Sequence, residues 1–219
     1  MGQQKYSYRR SHALGQLVVA LALLAVFSGC EALFTTNVFE NFARDPDNMS
    51  EEQLVAYGNE AIASGDQDKM TSAYNSLSEK VDGRDLSDDP ETRNTLVELG
   101  LGATDIIGVV SDNLDDPTGV SEKTFDAERR KIARQTADIM LEADSEDFSP
   151  DRWAYAGAGV GISALGEGES LEDIEDGEDR ERVETLLNNS LEGYEREERT
   201  DSEIYRQLTE LRDAVNSGS

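Results

Sequence analysis

Residues 51–84 read EEQLVAYGNEAIASGDQDKMTSAYNSLSEKVDGR. Leu54, Tyr57, Gly58 and Ala61 recur at three- and four-residue intervals, as one face of a helix requires. Ser50 and Gln53 have the spacing of a capping box at its start, and Gly65-Asp66 supplies a turn. Beyond the turn, Met70, Ala73, Tyr74, Leu77 and Val81 make a second apolar face at helical spacing. The stretch predicts two helices joined by two residues. A glycine inside a helix costs about 1 kcal/mol relative to alanine, so Gly58 needs a reason.

The same arrangement returns twice. Leu96, Leu99, Gly100 and Trp153, Ala156, Gly157 repeat the pattern of Leu54, Tyr57, Gly58, the glycines falling 42 and 57 residues apart. A glycine recurring at one phase implies close approach of a neighbouring helix. Further stripes run through Ile132, Ala133, Thr136, Ile139, Met140 and Ala143, through Val183, Leu186, Leu187, Leu191 and Tyr194, and through Ile204, Leu208, Leu211 and Val215. Asp89-Pro90 and Ser149-Pro150 place a cap before a first-turn proline, and Thr200 to Glu203 has capping-box spacing. Ile106 to Val110, the one candidate for a strand, continues the helical pattern from Leu96. The glycine-rich Ala154 to Gly166 lacks the lysine and preceding strand of a phosphate loop, and is read as a tightly packed helix.

Residues 51–84 resemble a tetratricopeptide repeat in Leu54, Tyr57-Gly58, Ala61, Gly65-Asp66 and Tyr74. Met70 and Leu77 depart from that family's small residues and no proline closes the unit; the two later units keep only the first-helix signature. The resemblance implies an all-α fold of stacked helix pairs, a TPR-like α-solenoid of about three pairs near 50–81, 90–144 and 149–195. A C-terminal capping helix near 201–216 closes it.

The N-terminus reads differently. Lys5, Arg9 and Arg10 precede eleven uninterrupted apolar residues, Leu17 to Phe27. At about 1.5 Å per residue these cover roughly half of a bilayer core, so an export signal fits better than a spanning helix. Phe27-Ser28-Gly29-Cys30 then resembles the lipobox of bacterial lipoproteins, with Phe27 in place of the usual Leu. The resemblance implies cleavage of residues 1–29, lipidation of Cys30, a tether over 30–49 and a helical domain over 50–219. A multiply acylated terminus anchors stably, and Glu31, rather than Asp, after the cysteine favours the outer membrane, its periplasmic side expected, over the cytoplasmic membrane. In the tether, Phe34, Val38, Phe39 and Phe42 are spaced to share one apolar face.

Cleavage would remove His12, the chain's one histidine, and lipidation would consume its one cysteine. Ser-His and Cys-His catalysis and imidazole or thiolate metal sites are thereby excluded, so no catalytic residue, metal or cofactor is expected. A carboxylate hydrolase would need two acids about 5 to 9.5 Å apart in a cleft. The acidic run Glu167 to Asp179 fails the calcium-loop pattern at Ile174 and reads as a solvated loop. The chain carries 47 acidic and 20 basic residues, a net charge of −27; without Lys5, Arg9 and Arg10 it falls to −30. Such a surface repels phosphates and excludes nucleic acid as partner. Few lysines among many acids also resemble halophile proteins, so salt adaptation competes with a basic partner as the explanation.

A lipid-anchored stack of helix pairs is similar to the repeat lipoproteins that assist envelope assembly. It implies a non-enzymatic module docking an envelope protein, with Tyr57, Asn59 and Asn94 on an open groove. The alternative is a small-ligand carrier, similar to repeat lipoproteins of TRAP-type transporters, with Trp153, Tyr155, Ile106 and Ile107 lining a closed cavity.

Overall fold

Helix starts follow the side chains that can satisfy free N–H groups. A computed structural model of the chain describes residues 45–112, 125–165, 174 and 177–217. The chain divides into two compact units, Met1–Asn48 and Met49–Ser219. In the described part of the first, Pro46–Asn48 form one 3-10 turn. The described residues of the second make eight α-helices and no strand; the protein is all-α.

Helix α1, Glu51–Ser64, opens with the predicted capping box. Ser50 Oγ accepts from the Gln53 N–H at 3.4 Å, and Gln53 Oε1 accepts from the Ser50 N–H at 3.0 Å. It closes at Gly65, whose φ of +67° favours a residue without Cβ. Asp66 then accepts from the Lys69 N–H at 3.1 Å and opens α2, Gln67–Lys80. Asp89 does the same for α3, Pro90–Thr104, with proline in the first turn.

The reading of Ile106 to Val110 as helix holds, but continuity with the preceding helix does not. Asp105 adopts φ +54°, ψ +31° and breaks the chain into α3 and a separate α4, Ile106–Asp112. Helix α5, Ala127–Leu141, is capped by Asp126. Helix α6, Pro150–Ala164, starts after Ser149, which has the extended backbone of a cap but makes no side-chain cap bond. Helices α7, Glu178–Arg196, and α8, Glu203–Ser217, complete the order. The capping box expected at Thr200 is not formed. The helix starts later, and Ser202 Oγ accepts from the Tyr205 N–H at 3.2 Å.

Each helix packs chiefly on its sequence neighbours: α1 on α2 and α3, α2 on α3, α3 on α5, α5 on α6, α6 on α7 and α7 on α8. The short α4 rests on α3 and α6. Two apolar clusters result. One contains Leu54, Ala61, Tyr74, Leu77, Leu96, Leu99 and, from α5, Ile132. The other contains Val97, Leu101, Ile106, Phe148, Trp153, Leu186, Leu187 and Tyr194. Helix α3 serves both, with Leu96 and Leu99 facing one cluster and Val97 and Leu101 the other. With two sides in the core, the polar stripe of a surface helix narrows on α3 to Glu91, Asn94 and Glu98, and α3 even buries Thr92, Arg93, Thr95 and Thr104.

The three same-phase glycines all lie at helix–helix contacts. A Cβ on Gly58 would stand 2.9 Å from Leu99 Cδ1, one on Gly100 1.9 Å from Thr136 Oγ1, and one on Gly157 3.2 Å from Leu187 Cδ2. Their partners differ in kind. Gly100 and Gly157 face the second helix of their own pair, whereas Gly58 faces the next pair's first helix, α3. The glycine-rich 154–164 is helix, as read; Gly157, Gly159 and Gly161 are buried within α6.

Candidate functional site

The first turn of α6 is tied in two directions. On one side Arg152 forms an ion pair with Glu98 of α3. On the other, Asp151 accepts a hydrogen bond from the Tyr194 hydroxyl of α7. The Arg199 guanidinium lies 4.5 Å from the centroid of that tyrosine's ring. Burial pushes the Tyr194 hydroxyl's pKa above its usual range, and the hydrogen bond to the Asp151 carboxylate adds to it. Pro150 also accepts at its carbonyl from Ser190 Oγ, 2.7 Å away. Glu98 stands one turn after Asn94 on α3, and Tyr155 nearly one turn after Arg152 on α6. Asn94, Glu98, Arg152 and Tyr155 thus form a partly exposed polar row across two helices. Within it Asn94 Oδ1 is out of solvent and has no hydrogen-bond partner among the described residues. Nearby, Arg93 is 6 % exposed; it pairs with Asp147 at 2.9 Å and lies 5.7 Å from the Phe148 ring centroid.

Of the residues expected to bind, Tyr57 is half-buried against the first cluster, and Asn59 is exposed. Gly58 of α1 meets Thr95 and Leu99 of α3, so Asn59 and Asn94, each next to one of these contact residues, lie on neighbouring helices at one seam. Trp153 is different. It is 0 % exposed, stacks edge-on to Phe148 with centroids 5.7 Å apart and donates its indole N–H to the Ser145 carbonyl at 3.2 Å. A partner arriving from solvent does not touch it. Ile106 is also enclosed while Ile107 is 48 % exposed, so the four residues expected to line a carrier cavity do not share a wall. A cleft of about 780 Å³ beside Thr200, Ser202, Tyr205, Arg206 and Thr209 is bounded by α8 and the turn before it. It lies open to solvent.

The acidic run behaves unevenly. Ile174 is buried in the second cluster, and Glu178 and Asp179 form the first turn of α7 rather than loop. Asp179 accepts from Arg134 Nε at 2.9 Å and Nη2 at 2.7 Å. Arg182 joins it at 3.3 Å and reaches Asp138 at 2.7 Å. This network was not foreseen, because the links Arg134–Asp179 and Arg182–Asp138 span more than forty residues and each member looks like an ordinary surface charge. The remainder of the run, Cys30 and the tether up to residue 44 lie outside the described residues. Among the described residues no three His, Cys, Asp or Glu side chains are grouped to hold a metal ion. No described helix is long and apolar enough to cross a membrane. No protein-family model, curated protein or solved structure matches the chain.

Proposed function

We propose that this chain is a lipid-anchored helical-repeat protein of the bacterial envelope that docks a protein partner without catalysing a reaction. In this reading Cys30 carries the lipid, the helices form a TPR-like solenoid of about three pairs, and α8 caps its end. The observation that carries it is the packing order: each pair lies against the next, leaving Asn59, Asn94 and Tyr155 at least partly accessible. The exposure of Ile107, 48 %, at a position the closed cavity of a carrier would enclose favours surface docking over small-ligand carriage.

The test compares the membrane-extracted native protein with Cys30→Ser by mass spectrometry, together with proximity crosslinking in intact cells. The expected result is a mature chain beginning at acylated Cys30, with crosslinks converging on one envelope protein. Asn59→Arg and Asn94→Arg should weaken those crosslinks while the melting temperature holds. An unmodified Cys30 sinks the anchoring, and crosslinks indifferent to both arginines sink the surface.

A further inference from the structure

The turn between α2 and α3 holds a reactive pair. Asp82 is exposed, and its carboxyl group has neither a hydrogen bond nor an ion pair among the described residues. Gly83 follows at φ +70°, with nothing within 4 Å of where a Cβ would stand. Its N–H makes no backbone hydrogen bond, whereas the next residue's, that of Arg84, donates to Val81 O at 2.9 Å. The nucleophile and electrophile needed for intrachain cyclisation are therefore adjacent, solvated and unoccupied. No side chain on the glycine shields its nitrogen.

We propose that Asp82-Gly83 is a site of spontaneous isoaspartate formation in the folded protein. The Gly83 amide nitrogen, having lost its proton, attacks Cγ of the protonated Asp82 carboxyl. An N–Cγ bond forms, a C–O bond breaks and one water leaves, giving a five-membered succinimide. Water then opens the ring at either carbonyl, restoring aspartate or producing isoaspartate, in which the main chain runs through the former side chain. Mass is unchanged overall and no oxidant or cofactor takes part.

The position gives the change a consequence. Arg84, the next residue, bridges two helices: its Nη1 and Nη2 donate to the Glu51 carboxylate at 2.8 and 2.6 Å, and Nη2 also reaches Asp89 at 2.7 Å. Lengthening the main chain by one carbon immediately before it moves this guanidinium off at least one partner. The structure thus links a chemical clock in the turn to the clamp between α1 and α3.

The experiment incubates the full-length protein, and separately a peptide spanning the turn, at neutral pH and physiological temperature for several weeks. Peptide mapping and isoaspartyl methyltransferase labelling follow the product, and the digest must separate this pair from the chain's other Asp-Gly, Asp176-Gly177. Isoaspartate is expected at residue 82 in the folded protein at a rate within severalfold of the peptide's. Loss of that signal is expected in Asp82→Glu, which cannot close the five-membered ring. A peptide that isomerises while the folded protein does not would overturn the proposal. Isolated isoaspartyl protein should melt lower than fresh protein, in the direction of Arg84→Ala; an unchanged melting temperature would overturn the link to the clamp.

Discussion

Met49 to Ala103 supply every buried residue of the first apolar cluster except Ile132, whereas the second draws on Val97 through Val215. The first is closed by neighbours in sequence: a capping box, a glycine turn and the Arg84–Glu51 pair join α1, α2 and α3. The second is stitched by arginines reaching across the chain: Arg93 to Asp147, Arg152 to Glu98, Arg134 to Asp179, Arg182 to Asp138, and buried Arg180 to the Val215 carbonyl. Apolar packing tolerates salt while partly exposed ion pairs are screened by it. Among the described residues ion pairs are sparser around the first cluster, chiefly Arg84 with Glu51 and Asp89, and denser around the second, and the two halves meet at α3 and α5.

That contrast breaks most completely at the joint. Gly100→Ala would place a methyl 1.9 Å from Thr136 Oγ1, whose hydroxyl donates to Ile132 O at 2.8 Å. The backbones must part, and overpacking of this kind costs about 3 kcal/mol. Gly157→Ala meets its nearest atom at 3.2 Å, and the roughly 1 kcal/mol gained in helix propensity offsets much of the strain. Urea melts of the two variants should differ widely, and hydrogen exchange should rise in both halves only for Gly100→Ala. Equal destabilisation would mean that α3 is not the shared wall.

High pH tests the same joint. Burial pushes the Tyr74 hydroxyl up to about 12, opposed by Thr136 3.5 Å away and reinforced by Asp138. The unfolded chain releases this proton near its ordinary value of 10. The stability that Tyr74 contributes is therefore fully present below pH 10 and declines as pH rises towards about 12, by roughly 2 to 3 kcal/mol in all. In Tyr74→Phe this decline should shrink. An unchanged slope would place the alkaline loss elsewhere.

Arg134→Ala sharpens the contrast on one side. Its pair with Asp179 is partly exposed, 38 % and 24 % at the two side chains, so the loss should be near 1 kcal/mol and should vanish in molar salt. Hydrogen exchange should increase in α5–α7 and not in α1 or α2. Protection lost equally from both halves would argue against separate means of support.

How much of this was legible beforehand follows from the range of each interaction. Ser50, Asp66 and Asp89 act on N–H groups three residues away, so their helices could be read from spacing alone. The stripes and the three glycines were equally visible, although nothing in the spacing told that Gly58 meets α3 rather than α2. The break at Asp105 escaped because its left-handed φ is expected of glycine, and the apolar spacing runs on from Ala103 to Ile106 past it. Thr200 has capping-box spacing to Glu203, a rule that cannot register where the preceding turn ends, and the cap falls to Ser202. Trp153 stands in the repeated glycine pattern, yet its burial depends on Phe148 and Ser145 of the loop before it, which helical spacing does not register. The Arg134 network had no local signal at all.

The smallest expected effect concerns that preceding turn. Glu198 holds φ +56° at the end of α7, where its N–H donates to Glu195 O at 3.1 Å and the Arg199 N–H to Tyr194 O at 2.9 Å. Glycine suits this position better, so Glu198→Gly should raise stability by about 1 kcal/mol or less, measured as a small upward shift in melting temperature. A fall would show that the turn is held for what Glu198 itself contacts.

Helix α3 buries both its faces, and this bears on how the molecule is made. Synthesis delivers α3 complete while Ile132 and the whole of α6 are still to come, so Val97, Leu101 and the bare track beside Gly100 emerge with nothing to cover them. A nascent chain halted before α5 has an oily helix on display and invites capture by chaperones or by a like chain.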